Sequence, residues 1–130
     1  MLAIDTNVIV RVLTGDHPVQ SPRARALIQH NDILVSTSVV LETEWVLRDV
    51  FEMPNNVLLK ELRRFFGFAN VRLERPHAVS RALDWAEAGM GFADALHLAC
   101  AEDCDAFATF DKELARFAKK ADLAPSVRLA

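Results

Sequence analysis

The feature that most constrains the fold is an alternation of short apolar runs with longer amphipathic segments along the whole chain. The short runs predict strands at LAID, DILVS, NVRLE, DAFATF and SVRL. The longer segments predict helices at TNVIVRVL, SPRARALIQH, SVVLETEWVLRDVF, VLLKELRRFFGF, PHAVSRALDWAEAG, FADALHLACAEDC and DKELARFAKKA. Strands that alternate with helices usually form a parallel sheet covered on both faces. The sequence therefore predicts an α/β fold, a three-layer α/β/α sandwich with a central parallel sheet.

Length and composition predict one globular domain over residues 1–130. Hydrophobic residues make up 52% of the chain and charged residues 25%, without a repeat or a low-complexity run. The apolar stretch VSTSVVL is too short and too polar to cross a bilayer, and the start MLAID lacks the features of a signal peptide. We expect a cytoplasmic protein that does not enter the membrane.

The charge balance argues against a protein that holds nucleic acid mainly through a global positive field. The chain has 15 basic and 18 acidic residues, a formal net charge of −3. Local basic groups occur in the segments RARA, ELRR and AKKA. Each of these segments is typical of a solvated helix face, so contacts to nucleic acid would have to be local.

The two cysteines and a histidine suggest a weak metal hypothesis. Cys100 and Cys104 lie four residues apart in a helical pattern, so we expect reduced thiols on one helix face, in line with His97. A structural zinc site needs four ligands, and the sequence offers no second Cys/His pair. The sequence favours small buried thiols instead.

Four acidic residues lie where the predicted fold would bring their carboxylates close to one edge of the sheet. Asp5 ends the first apolar strand and Asp111 follows DAFATF, so parallel strands would bring both to one edge of the sheet. Asp94 lies in the first turn of its helix. Glu42 is expected near the packing face of the helix after the second strand, with Glu44 pointing away. Parallel strands therefore predict a group of carboxylates at this edge.

Each acid also has an ordinary interpretation. Asp5 and Asp111 suit helix N-caps, Asp94 suits a helix dipole, and Glu42 could neutralise Arg48. The combination is harder to explain, because four carboxylates at one edge would repel by about 1 kcal/mol or more per close pair. A divalent cation would remove that repulsion.

The same residues form an ordered set of motifs: DTN (Asp5 to Asn7), LET followed by WVL, FADAL, and TFD (Thr109 to Asp111). In length and motif order the chain resembles the PIN domain family, and most closely its VapC-type toxin ribonucleases. The resemblance implies an acidic quartet that binds Mg²⁺ or Mn²⁺, namely Asp5, Glu42, Asp94 and Asp111. Supporting roles would fall to Asn7 and Thr109, and to His97, which stands where some relatives carry a further acid.

The resemblance implies a metal-dependent endoribonuclease that cuts RNA to leave 5′-phosphate and 3′-hydroxyl ends. Asp5, Asp94 and Asp111 would be direct ligands, and Glu42 a ligand or an orienter of water. Thr109 would fix the Asp111 loop through its hydroxyl group. The resemblance further implies a toxin of a toxin-antitoxin pair that forms a homodimer and is inhibited by its cognate antitoxin.

Three other classes of protein are alternatives to the nuclease. A receiver-like Mg-binding signalling domain would need a lysine after a late strand, and Lys112 instead follows Asp111 at a helix start. A phosphatase of the haloacid dehalogenase type would need an aspartate where Asn7 stands. A non-catalytic PIN-like scaffold that binds RNA or protein would not need all four acids.

Overall fold

The structure, a computed structural model, describes residues 1–130 as seven α-helices, five β-strands and one π-helical turn. The strands are β1 Leu2–Ala3, β2 Ile33–Val35, β3 Val71–Leu73, β4 Ala106–Thr109 and β5 Ser126–Leu129. The helices are α1 Thr6–Thr14, α2 Gln20–Gln29, α3 Thr37–Trp45, α4 Asn55–Phe66, α5 Pro76–Glu87, α6 Phe92–Ala99 and α7 Lys112–Lys120. None of these helices has the length and apolar character that crossing a bilayer requires. The chain divides into two compact units, Met1–Pro76 and His77–Ala130.

The first unit is built on a three-stranded parallel sheet in the order β1, β2, β3. Leu2 pairs with Ile33, and Ile33 pairs in turn with Val71. On the central strand, Ile33 and Val35 point to the same face and are fully buried, whereas Leu34 points to the other face and is half-buried. The helices and the π-helical turn of this unit also bury Val40, Leu47, Leu58, Leu62 and Phe65. The prediction of parallel strands is confirmed in this sheet, and its three carboxyl ends share one edge.

The segment predicted as one helix over SVVLETEWVLRDVF changes its winding halfway. α3 ends at Trp45, and a π-helical turn covers Val46–Val50. At its end the Phe51 N–H donates to the Val46 carbonyl at 3.2 Å, five residues back. The predicted helix is therefore present over this segment, but its last turn is wound as a π-helix, which hydrophobic periodicity over a single turn cannot distinguish from an α-helix.

The second unit holds α5, α6, α7 and a two-stranded parallel sheet, in which Ala106 of β4 pairs with Ser126 of β5. The amphipathic helix α7 buries Leu114 and Ala118 and packs against both strands of this sheet. β5 pairs only with β4. One edge of β5 therefore carries no strand partner within this unit.

The two cysteines do not share a helix face. α6 ends at Ala99, and the chain then turns, with the Cys104 N–H donating to the Ala101 carbonyl at 2.9 Å. Cys100 is half-buried and Cys104 is exposed. The predictions of a common helix face and of buried thiols are therefore wrong, because the helix stops before the second cysteine.

Candidate functional site

Asp5 lies at the carboxyl edge of the first unit's sheet, just after β1. It is the N-cap of α1, and its Oδ1 accepts a hydrogen bond from the Val8 N–H at 3.4 Å. Only Ile4 and Asp5 separate β1 from α1, and the backbone of Asp5 is extended. The side chain is exposed and Oδ2 makes no hydrogen bond, so the cap fixes one oxygen and leaves the other for a ligand.

Glu42 is held next to this turn by a residue that sequence reasoning missed. Its Oε1 accepts a short hydrogen bond from the hydroxyl of Thr6, the residue after Asp5. Thr6 is only 5% exposed, so its hydroxyl has few alternatives to this carboxylate. The structure thus brings Glu42 and the Asp5 turn together within the first unit. The available signal was the position of Thr6 between Asp5 and Asn7.

The orientation predicted for α3 is wrong, because the two glutamates exchange places. Glu42 is exposed, whereas Glu44 is 2% exposed. The Arg48 Nε donates to the Glu44 Oε2 at 2.9 Å, and this hydrogen bond raises the pKa of Arg48. A carboxylate with a guanidinium one turn away can be buried, and an unpaired one cannot. Glu44, and not Glu42, therefore neutralises Arg48.

A second carboxylate at the same sheet edge acts as a helix cap. Glu74 directly follows β3, and its Oε1 accepts a hydrogen bond from the Thr37 N–H at 2.8 Å, at the start of α3. This backbone hydrogen bond lowers the pKa of Glu74. Ser36 caps the same helix by accepting from the Val39 N–H at 3.4 Å. Glu74 and Ser36 therefore fix the start of α3 together.

In the second unit, Asp94 lies in the first turn of α6. The carboxylate is half-buried and near the N-cap Gly91, where the Cβ of a larger residue would lie 3.7 Å from its Oδ2. It forms no ion pair, although it lies at the positive end of the helix dipole. His97, one turn further, is exposed. Asp94 is thus positioned by the helix start alone.

Asp111 follows β4 and is the N-cap of α7. Its Oδ1 accepts from the N–H groups of Glu113 at 2.9 Å and Leu114 at 3.1 Å. Its own N–H donates to the Thr109 hydroxyl at 3.0 Å, the contact expected of that threonine. These bonds occupy one carboxylate oxygen and the backbone. Oδ2 makes no hydrogen bond, so the cap leaves it available to a ligand.

Each of the four acids, taken by itself, offers carboxylate oxygen to a ligand. Asp5, Glu42 and Asp111 each keep one carboxylate oxygen without a hydrogen bond, and Asp94 keeps both. Such oxygens are the ligands that Mg²⁺ and Mn²⁺ prefer. Within either unit alone, no group of three His, Cys, Asp or Glu side chains is arranged to hold a metal ion. The zinc triad of His97 with the two cysteines is therefore not formed.

Comparison with known proteins finds one family. A family model described as the PIN domain matches residues 2–120, which is most of the chain. No curated protein and no solved structure matches the chain.

Proposed function

The chain belongs to the PIN domain family, whose members are generally metal-dependent nucleases, and on this basis we propose that it is a divalent-metal-dependent endoribonuclease. The membership confirms the predicted fold class, an α/β sandwich of the PIN type. The observation that carries the proposal is that the matched residues include all four predicted acids, each with a carboxylate oxygen available for a ligand. We retain the prediction that residues 1–130 form a single domain.

Asp5, Asp94 and Asp111 are the direct ligands in this proposal, and Glu42 is a fourth ligand or the orienter of a water. When bound, Mg²⁺ or Mn²⁺ supplies positive charge to the scissile phosphate and makes water easier to deprotonate. The protein's part is to hold the carboxylates rigid. The Val8 N–H fixes Asp5, and Thr6 fixes Glu42.

Three polar residues have supporting roles in the same proposal: Thr109 holds Asp111, and two others can contact the RNA. Thr109 anchors the backbone of Asp111, so the aspartate keeps its position when a phosphate approaches. Asn7 is exposed two residues after Asp5 and can donate an amide N–H to a phosphate oxygen. His97 is exposed one turn from Asp94 and can donate an imidazole N–H to the RNA backbone.

We propose that the protein is the toxin of a toxin-antitoxin pair and acts in the cytoplasm. A cognate antitoxin would inhibit it by placing an arginine against the acidic residues, because a guanidinium pairs bidentately with carboxylates. The toxin would be a homodimer. Exposed apolar side chains that such an interface could bury include Trp45, 49% exposed, and Val50, 61% exposed.

The family membership leaves the receiver-like and dehalogenase-type alternatives without support. A non-catalytic PIN-type scaffold that binds RNA or protein is the remaining alternative. It predicts RNA or protein binding without new RNA ends.

Cleavage of total cellular RNA by the purified, antitoxin-free protein tests the proposal. We expect new 5′-phosphate ends at a few sites with Mg²⁺ or Mn²⁺ and none with a chelator. Sequencing of the ends identifies the RNA that is cut. A folded protein that binds Mn²⁺ but produces no new ends with either metal would contradict the nuclease and favour the scaffold.

Thr6→Val tests whether Thr6 positions Glu42. The substitution keeps the shape of the side chain and removes the hydroxyl donor, so we expect RNA cleavage to fall by about 10- to 100-fold. The loss of one hydrogen bond should cost about 1 kcal/mol of stability. Cleavage rates are measured over a range of Mg²⁺ concentrations, together with thermal unfolding.

Thr14→Val is the matched control, because Thr14 also lies in α1 and its hydroxyl bonds to the Val10 carbonyl at 2.7 Å. It should leave cleavage unchanged, and Thr6→Ser should restore it. Equal losses of activity in Thr6→Val and Thr14→Val would show that Thr6 acts only through the stability of α1.

A further inference from the structure

Helix α7 carries three cations along one face. Lys112, Arg116 and Lys119 follow the spacing i, i+4, i+7, so they lie within a narrow sector of the helix surface. We call them the α7 basic stripe. The stripe covers about 10 Å of helix length at about 1.5 Å per residue. It lies on the side of the helix away from the buried Leu114 and Ala118.

The charges of the α7 basic stripe are not neutralised by ion pairs. None of its three members forms a salt bridge, whereas elsewhere in the second unit Arg81 pairs with Glu102 at 3.2 Å. The chain as a whole has a formal net charge of −3, so the stripe is a local exception to an acidic background. An uncompensated row of cations attracts a polyanion.

The stripe borders an open cleft of about 690 Å³ in the second unit. The other wall is formed by β5, with Ser126, Val127 and the 51%-exposed Leu129. One carboxylate, that of Asp122, also lines the cleft, so three cations face one anion. A positively charged groove is the feature by which proteins follow the backbone of a single-stranded nucleic acid.

The stripe begins at Lys112, the residue directly after Asp111. An RNA strand with one phosphate at Asp111 could therefore place further phosphates along α7. We propose that the α7 basic stripe binds the phosphodiester backbone of single-stranded RNA that continues from the cut site. This inference rests on the proposed function. An acidic peptide is the less favoured occupant, because the row of cations starts at a predicted catalytic residue.

The test is binding of a fluorescent single-stranded oligouridylate, measured with chelator so that no RNA is cut. The variant Lys112→Gln/Arg116→Gln/Lys119→Gln keeps good helix formers in α7. Each phosphate contact contributes about 0.7 to the slope of log affinity against log salt, so three contacts contribute about 2. Between about 50 and 200 mM salt, the parent should therefore lose about 20-fold more affinity than the variant.

The matched control is Arg23→Gln/Lys60→Gln/Arg72→Gln, which makes the same change in net charge at exposed sites of the first unit. It should keep the parent's salt slope. Equal slopes for parent and stripe variant, or no binding by the parent, would overturn the inference. The inference would also be overturned if the stripe variant lost binding of a labelled polyglutamate but kept its binding of RNA. A stripe-dependent slope in a protein that cuts no RNA would instead refute the proposed nuclease alone.

Discussion

Asp94→Asn is expected to reduce RNA cleavage by at least about 100-fold. Loss of a direct metal ligand should reduce activity at least as much as loss of a residue that only orients a ligand, which typically costs about 10- to 100-fold. The metal-free fold should be unchanged or slightly more stable. Asp94 forms no ion pair, so its loss leaves no cation unpaired. Relief of like-charge repulsion in the proposed acidic site offsets the loss of its favourable interaction with the α6 dipole, which is about 1 kcal/mol at most. Single-turnover cleavage and thermal unfolding in chelator measure the two effects.

Glu113→Gln is the matched control for this substitution. Glu113 is also an acid in the first turn of a helix, and its side chain is exposed. Its replacement should leave cleavage unchanged and alter stability by a similar small amount. A fall of more than about 10 °C in the melting temperature of metal-free Asp94→Asn would show that Asp94 is structural, since 1 kcal/mol corresponds to only a few degrees.

Arg48→Met is expected to destabilise the protein by about 2 kcal/mol, because it leaves the carboxylate of Glu44 buried without its partner. A fully buried pair would cost more, but the Arg48 side chain is 47% exposed and that of Glu44 only 3%. Glu44→Gln should cost less, about 1 kcal/mol, since the guanidinium can then turn to water. Urea unfolding gives both values.

The pair Arg64 and Glu61 is the control, with a distance of 2.7 Å but side chains that are 57% and 30% exposed. Arg64→Met should cost less than about 1 kcal/mol, as is usual for surface pairs. The double variant Glu44→Leu/Arg48→Met should be more stable than Arg48→Met alone. If Arg48→Met and Arg64→Met were equally mild, the Glu44 carboxylate would be reaching water.

Local interactions explain why part of the candidate site could be predicted from the sequence. Asp5 and Asp111 are N-caps, and a cap involves only N–H groups two or three residues further along the chain. The contact between Thr109 and Asp111 spans two residues. Asp94 belongs to the first turn of its own helix. Each of these features follows from neighbours in the sequence.

Long-range contacts explain why the rest could not be predicted. The hydrogen bond between Thr6 and Glu42 joins residues 36 positions apart. Which glutamate of α3 is buried depends on packing, and Glu44 is buried with Arg48 while Glu42 bonds to Thr6. Helical periodicity placed both acids on α3 but assigned them to the wrong faces.

The sequence by itself determined the order of strands and helices, the caps of α1 and α7, and the family, because propensity, capping and motif order are properties of short segments. Only the tertiary structure decided which carboxylates are exposed, where α6 ends before Cys104, and that Thr6 holds Glu42. These outcomes depend on which surfaces pack together. Burial and long-range hydrogen bonds form only when distant segments meet, and no local pattern encodes them.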